Sequence, residues 1–180
     1  MPPAQREGLS NANPSIPKEY RMKLFMKQKV FSWSDKFNIK DEHGNDRYYV
    51  EGEIFSWGHK LHLYNMANQE IAFIKQELFT WLPKFEVYMG DTLVVEVRKE
   101  FSFFTQKYTL AGTDWIVDGN FWEHTYEITN PAGSIAHITK AIFSWGDSYE
   151  IDIADGAAEI LVLATILAID CVLASDDGAR

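Results

Sequence analysis

From Met22 onward the chain alternates apolar and polar positions over short stretches. Phe37 and Ile39 enclose Asn38, Leu61 and Leu63 enclose His62, and Phe85 and Val87 enclose Glu86. Tyr126 and Ile128 enclose Glu127, while Tyr149, Ile151 and Ile153 enclose Glu150 and Asp152. A period of two places the apolar members on one face of a strand and the polar members on the other, so each stretch predicts a β-strand with one buried and one wet face. Short runs rich in Gly, Asn, Asp and Pro separate the stretches, and strands joined by such turns form an antiparallel meander.

A second pattern lies over the first. Six segments carry an aromatic followed four places later by a residue that opens a strand: FSWSDKFNI, FSWGHKLHL, FTWLPKFEV, SFFTQKYTL, NFWEHTYEI and FSWGDSYEI. The aromatics are Trp33, Trp57, Trp81, Phe104, Trp122 and Trp145. A period of about 24 residues is two strands and two turns. One strand precedes Trp33, five units contribute two strands each and the sixth contributes one, which predicts twelve strands. So long a meander tends to curl, and closure into a barrel removes both edges.

The alternation stops at Ala157–Ala174, AAEILVLATILAIDCVLA, which has no polar stripe at helical spacing. A helix apolar on every side is surrounded either by protein or by lipid. Its uninterrupted stretch, Ile160 to Ile169, is half the length a membrane span needs, and Asp170 follows it directly. A twelve-stranded barrel is wider than one of eight, which its own side chains fill, so its lumen needs an occupant. The expectation is a closed twelve-stranded antiparallel β-barrel around a hydrophobic C-terminal helix, mainly β in class. Residues 22–175 form this domain, residues 1–21 a flexible Pro-, Asn- and Ser-rich arm, and residues 176–180 a tail.

Composition narrows the partners. The net charge of −9 argues against nonspecific binding to nucleic acid or to an anionic membrane, both of which need a basic surface, although a local basic patch could still exist. The single cysteine, Cys171, lies in the apolar run and reads as a small buried hydrophobe. The first twenty residues lack the apolar core of a signal peptide, so a cytoplasmic protein is expected.

The Lys27-Gln28-Lys29 of the first strand, the repeated Phe-Ser-Trp, and the tail KAIFSWGDSYEIDIADGAAEILVLATILAIDCVLA resemble the LURP-one-related family over about residues 22–174. That family belongs to the Tubby C-terminal-like superfamily, which includes the phospholipid scramblases. The resemblance implies the same twelve-stranded barrel around a hydrophobic helix. Tubby domains bind phosphoinositide headgroups through basic surface residues. Scramblases bind calcium through an acidic segment before the final helix, which corresponds here to Asp147, Glu150, Asp152 and Asp155.

Candidate chemistry is sparse. The five histidines have no metal-ligand spacing, and no nucleophile, phosphate-loop or dinucleotide motif occurs. The turn Asp41–Asp46 reads as a polar hairpin turn, with Gly44 and Asn45 supplying positive φ. Lys23, Lys27 and Lys29 share one face of the first strand and form a short basic stripe, either a solvated face or a site for an anionic headgroup or phosphate. Asp147, Glu150, Asp152 and Asp155 offer oxygens to calcium, or simply line a wet strand face. The repeated aromatics are expected to staple one hairpin to the next; the alternative is a stacking surface. The reading is a non-enzymatic binding or scaffold module without cofactor, in the cytoplasm or peripheral at a membrane, whose partner is an anionic lipid or a protein. The alternative is a calcium- or lipid-responsive protein of scramblase type.

Overall fold

The computed structural model describes residues 21–27, 36–53, 57–100, 107–123, 125–141 and 148–177. The period-two stretches form β1 (Arg21–Lys27), β2 (Lys36–Asp41), β3 (Asp46–Gly52), β4 (Lys60–Asn65), β5 (Glu70–Gln76) and β6 (Lys84–Met89). They continue as β7 (Thr92–Lys99), β8 (Tyr108–Ala111), β9 (Ile116–Asn120), β10 (Thr125–Asn130), β11 (Gly133–Lys140) and β12 (Ser148–Ala154), with a 3-10 turn at Phe121–Glu123. The apolar run is α1 (Glu159–Asp177). Neighbours in sequence pair antiparallel except β8 and β9, and β1 also pairs with β12, giving one twelve-stranded sheet from β8 round to β9.

Turn chemistry fixes the register. In the β2–β3 turn the Asp41 carboxylate accepts from the backbone N–H groups of His43 and Asn45, both at 2.9 Å. Of Gly44 and Asn45, only Gly44 takes a positive φ, of 80°. The Asp41 side chain satisfies the turn, so one left-handed residue suffices.

The inward faces make the core. Leu24, Ile39, Val50, Leu63, Ile74, Phe85, Val87, Val95, Val97, Ile128, Ile138 and Ile151 are fully buried, and α1 is buried from Val162 through Leu173. At about 1.5–3 kcal/mol per large aliphatic, the helix alone contributes a gross burial term on the order of 10–20 kcal/mol before ordering entropy. α1 runs closest to β5, β6 and β7, where Ala72, Val87, Val95 and Val97 allow near approach. The larger Tyr108, Phe121, Tyr126 and Tyr149 are buried in the same core, on β8, after β9, on β10 and on β12. Among the described residues no helix is long and apolar enough to cross a membrane.

The barrel is closed at one place by side chains instead of a ladder. β8 and β9 are consecutive and adjacent, yet they are the two ends of the hydrogen-bonded order. They are only four and five residues long, so a ladder between them would add few hydrogen bonds. Phe121 bridges the gap, with its ring 4.5 Å edge-on from Tyr108 of β8 and 5.1 Å from Tyr126 of β10. Trp115, in the connection between β8 and β9, also packs against the core.

A meander gives the barrel two different ends. The short hairpin turns and the entry to α1 lie at one. At the other are the strand ends that flank the β1–β2, β3–β4, β5–β6, β7–β8, β9–β10 and β11–β12 connections, whose sequences each carry one aromatic of the repeat.

Candidate binding surfaces

Two sequence candidates meet on the outer face of β1 and β12. Register sets Lys23 opposite Asp152 and Phe25 opposite Glu150. The Lys23 ammonium donates to the Glu150 carboxylate and lies 3.7 Å from that of Asp152. The hydrogen bond to Glu150 holds Lys23 above its ordinary pKa against the opposing cost of burial. The basic stripe and the acidic segment are therefore partners at this point, and the positive charge of Lys23 is compensated. Lys27 ends β1, and Lys29 lies outside the described residues. Asp147 also lies outside them, and Asp155 is exposed in the turn after β12, at the hairpin-turn end. Glu150 is separated from the end of β12 by about 13 Å of extended strand, so the acidic positions are strung along the wall.

Four of the connections at the other end share one construction at their bases. The backbone ladder continues past the strands and clamps each loop at its base: Glu53 N–H to Lys60 O at 3.2 Å, Glu77 to Lys84 at 3.0 Å, Glu100 to Lys107 at 2.8 Å and Ala141 to Ser148 at 3.0 Å. Six residues lie between the clamps each time: 54–59, 78–83, 101–106 and 142–147. Ion pairs reinforce two clamps, Lys60 with Glu53 at 2.8 Å and Lys84 with Glu77.

The stapling role expected of the repeat aromatics does not hold where their side chains are described. Trp57 is 88% exposed, Trp81 is fully exposed, and neither ring packs on a hairpin. Trp33, Phe104 and Trp145 lie outside the described residues, as does the Trp122 side chain. Phe79, beside Trp81, is also fully exposed and has φ of 65°. A bulky residue rarely adopts that left-handed conformation, which costs about 1–2 kcal/mol. Leu78 packs toward Gly58, where an added Cβ would stand 2.9 Å from Leu78 Cδ2. The two adjacent loops thereby touch, and Trp57, Leu78, Phe79 and Trp81 form one apolar patch.

An aromatic band on the outer wall has no counterpart among the sequence candidates. Tyr49 stacks on Tyr64 at 4.8 Å, His62 lies 4.8 Å from Phe73, and Phe73 lies 6.3 Å from Tyr88. Lys36 and Lys75 cap the band over Tyr49 and Tyr88, at 3.8 and 4.8 Å from the ring centroids. The signal available was cross-strand register, which pairs Tyr49 with Tyr64 and His62 with Phe73. Farther along the wall, carboxylate oxygens of Glu77, Glu86 and Glu96 come within 4.8 Å of one another. The Lys84 ammonium pairs with Glu77 and, at 2.5 Å, with Glu96, so a lysine supplies the cation there.

Comparison with known proteins agrees with this architecture. The model of a family described as LURP-one-related matches residues 22–170. The uncharacterized protein YxjI of Bacillus subtilis (strain 168) is 33% identical over 156 residues, spanning 87% of this chain and 96% of its own length. An X-ray structure of an Arabidopsis thaliana protein superposes with a TM-score of 0.60 at 15% identity, over 89% of this chain and 93% of that one. That likeness is one of fold.

Proposed function

The chain belongs to the LURP-one-related family, and on that premise we propose that it is a non-enzymatic binding module acting through the outside of its barrel. The observation that supports this most is the filled interior. α1 is buried from Val162 to Leu173 against inward-facing side chains of the strands, which leaves the outer surface for a partner. The ligand class suggested for the basic end of β1 is an anionic lipid headgroup or a phosphate. Because Lys23 is already compensated by Glu150 and Asp152, Lys27 and Lys29 carry that reading.

The test is binding to vesicles of phosphatidylcholine with and without anionic phospholipid, with inorganic phosphate as competitor. Lys27→Gln combined with Lys29→Gln should remove the increment that anionic lipid adds. Phosphate competition at millimolar levels would identify a phosphate site, and lipid dependence without competition a headgroup site. An unchanged increment in the double variant would overturn the reading. The scramblase-type alternative requires α1 to meet lipid, and its burial inside the wall does not favour that.

A further inference from the structure

The apolar patch at the loop end is built in a way that a structural role does not explain. Trp57, Phe79 and Trp81 are almost wholly exposed, and they contribute nothing to the core. Phe79 holds its ring in solvent from a left-handed backbone that a glycine would adopt freely. The loops beneath are clamped at their bases by backbone hydrogen bonds and by Lys–Glu pairs. We infer that this end of the barrel is a membrane-docking surface, with the rings of Trp57, Phe79 and Trp81 inserting into the interfacial layer of a zwitterionic phospholipid bilayer. The inference rests on the reading of the protein as a binding module that uses its outer surface.

Three observations favour a bilayer over a protein partner. The rings stand out individually instead of walling a groove, so they offer no cavity for a protein side chain, whereas a bilayer needs none. The same aromatic slot recurs in sequence at positions 33, 57, 81, 104, 122 and 145, in segments whose flanking strands end at this one rim. A bilayer, unlike a folded partner, needs no fixed arrangement of the rings that are placed, Trp57, Phe79 and Trp81. Tryptophan and phenylalanine are also the residues that settle at the level of the headgroups. The charges behind the patch are balanced: Lys60 by Glu53, and Lys84 by Glu77 and Glu96. Attraction to an anionic surface is thus not required, and the net charge of −9 does not oppose contact with a neutral one.

The test is flotation of the full chain with vesicles of pure phosphatidylcholine, beside the same vesicles containing anionic lipid. The wild-type chain should float with both and keep floating at 0.5 M salt, an ionic strength of about a 4 Å screening length. Phe79→Ser and Trp81→Ser should each lower the partition coefficient about tenfold, with Lys27→Gln and Lys29→Gln leaving it unchanged on the neutral vesicles. Phe79→Gly separates docking from folding: it should lose binding while holding or raising the melting temperature. Failure to float with neutral vesicles, or flotation unaffected by the Ser variants, overturns the inference. Flotation on anionic vesicles alone, lost with the lysine variants, would also overturn it and would leave the headgroup reading standing. Rim variants that instead convert a dimer into a monomer in sedimentation velocity, without vesicle binding, would assign the patch to a second copy of the chain.

Discussion

Tyr149, at the start of β12, donates its hydroxyl to the Asp170 carboxylate in the middle of α1. Both groups are fully buried, and the bond ties the barrel wall to the helix inside it. Burial pushes Asp170 up to about 7, against the lowering effect of the Tyr149 hydrogen bond. The neutral carboxyl is therefore favoured in the folded chain, while the unfolded chain ionises near pH 4. Below pH 4 both states hold the proton and the contribution is complete. Between about pH 4 and 7 the unfolded chain has lost its proton, and stability falls by up to about 1.4 kcal/mol per pH unit. Above 7 the loss is complete. Asp170→Asn removes the titration. Denaturant melts should show similar stabilities at pH 4.5 and a variant that is the more stable protein at pH 8. Parallel pH profiles for the two proteins would contradict the assignment.

Removing Lys23 leaves Glu150 and Asp152 side by side on the strand face. Lys23→Met is expected to destabilise by about 1 kcal/mol, because the patch is partly exposed and screened. Adding Glu150→Gln should recover part of the loss. The check is a double-mutant cycle by chemical denaturation, in which the two effects should fail to add.

Gly119 of β9 has φ of 142°, and a Cβ there would stand 2.5 Å from the Thr125 carbonyl oxygen and from Tyr126 Cα. Gly119→Ala should cost more than about 2 kcal/mol, since backbone must move. Gly90, with φ of 58° and nothing within 4 Å, serves as the control. Gly90→Ala should cost about 1 kcal/mol, the left-handed penalty alone. Thermal melts of the two variants should differ accordingly.

A chain stopped after Gly156 keeps all twelve strands and loses the helix. It should show no cooperative melt and no near-ultraviolet tertiary signal. Leu163→Ala, a milder version at a fully buried site, should cost about 2–5 kcal/mol. A soluble, folded, monomeric remainder after truncation would sink the account of α1 as the core.

The strands and the helix were legible in sequence for the same reason. Period-two stretches such as Lys60–Asn65 and Glu70–Gln76 state which face is buried, and a run without a polar stripe states that nothing around it is water. Closure was less legible. That β8 and β9 abut without a ladder depends on how Phe121 fits between Tyr108 and Tyr126, a packing detail with no periodicity. The Lys23 pairing joins residues 127 positions apart, so the basic stripe and the acidic segment read as separate candidates. The Trp slots misled on orientation because a regular spacing around the wall is common to a ring that staples and a ring that is displayed. Only the exposure of the rings that are described, Trp57 and Trp81, tells the two apart.

The unladdered seam between β8 and β9 bears on the order of events during synthesis. α1 follows all twelve strands, so a ribosome releases the whole wall before the residues that give it a core. A fully laddered cylinder would have to be threaded by its own C-terminal segment, with buried groups dragged through the lumen. A sheet whose neighbouring margins β8 and β9 meet without a ladder, beside Phe121, Tyr108 and Tyr126, keeps slack at that seam while the sequence-distant strands β1 and β12 pair around a helix that has already formed.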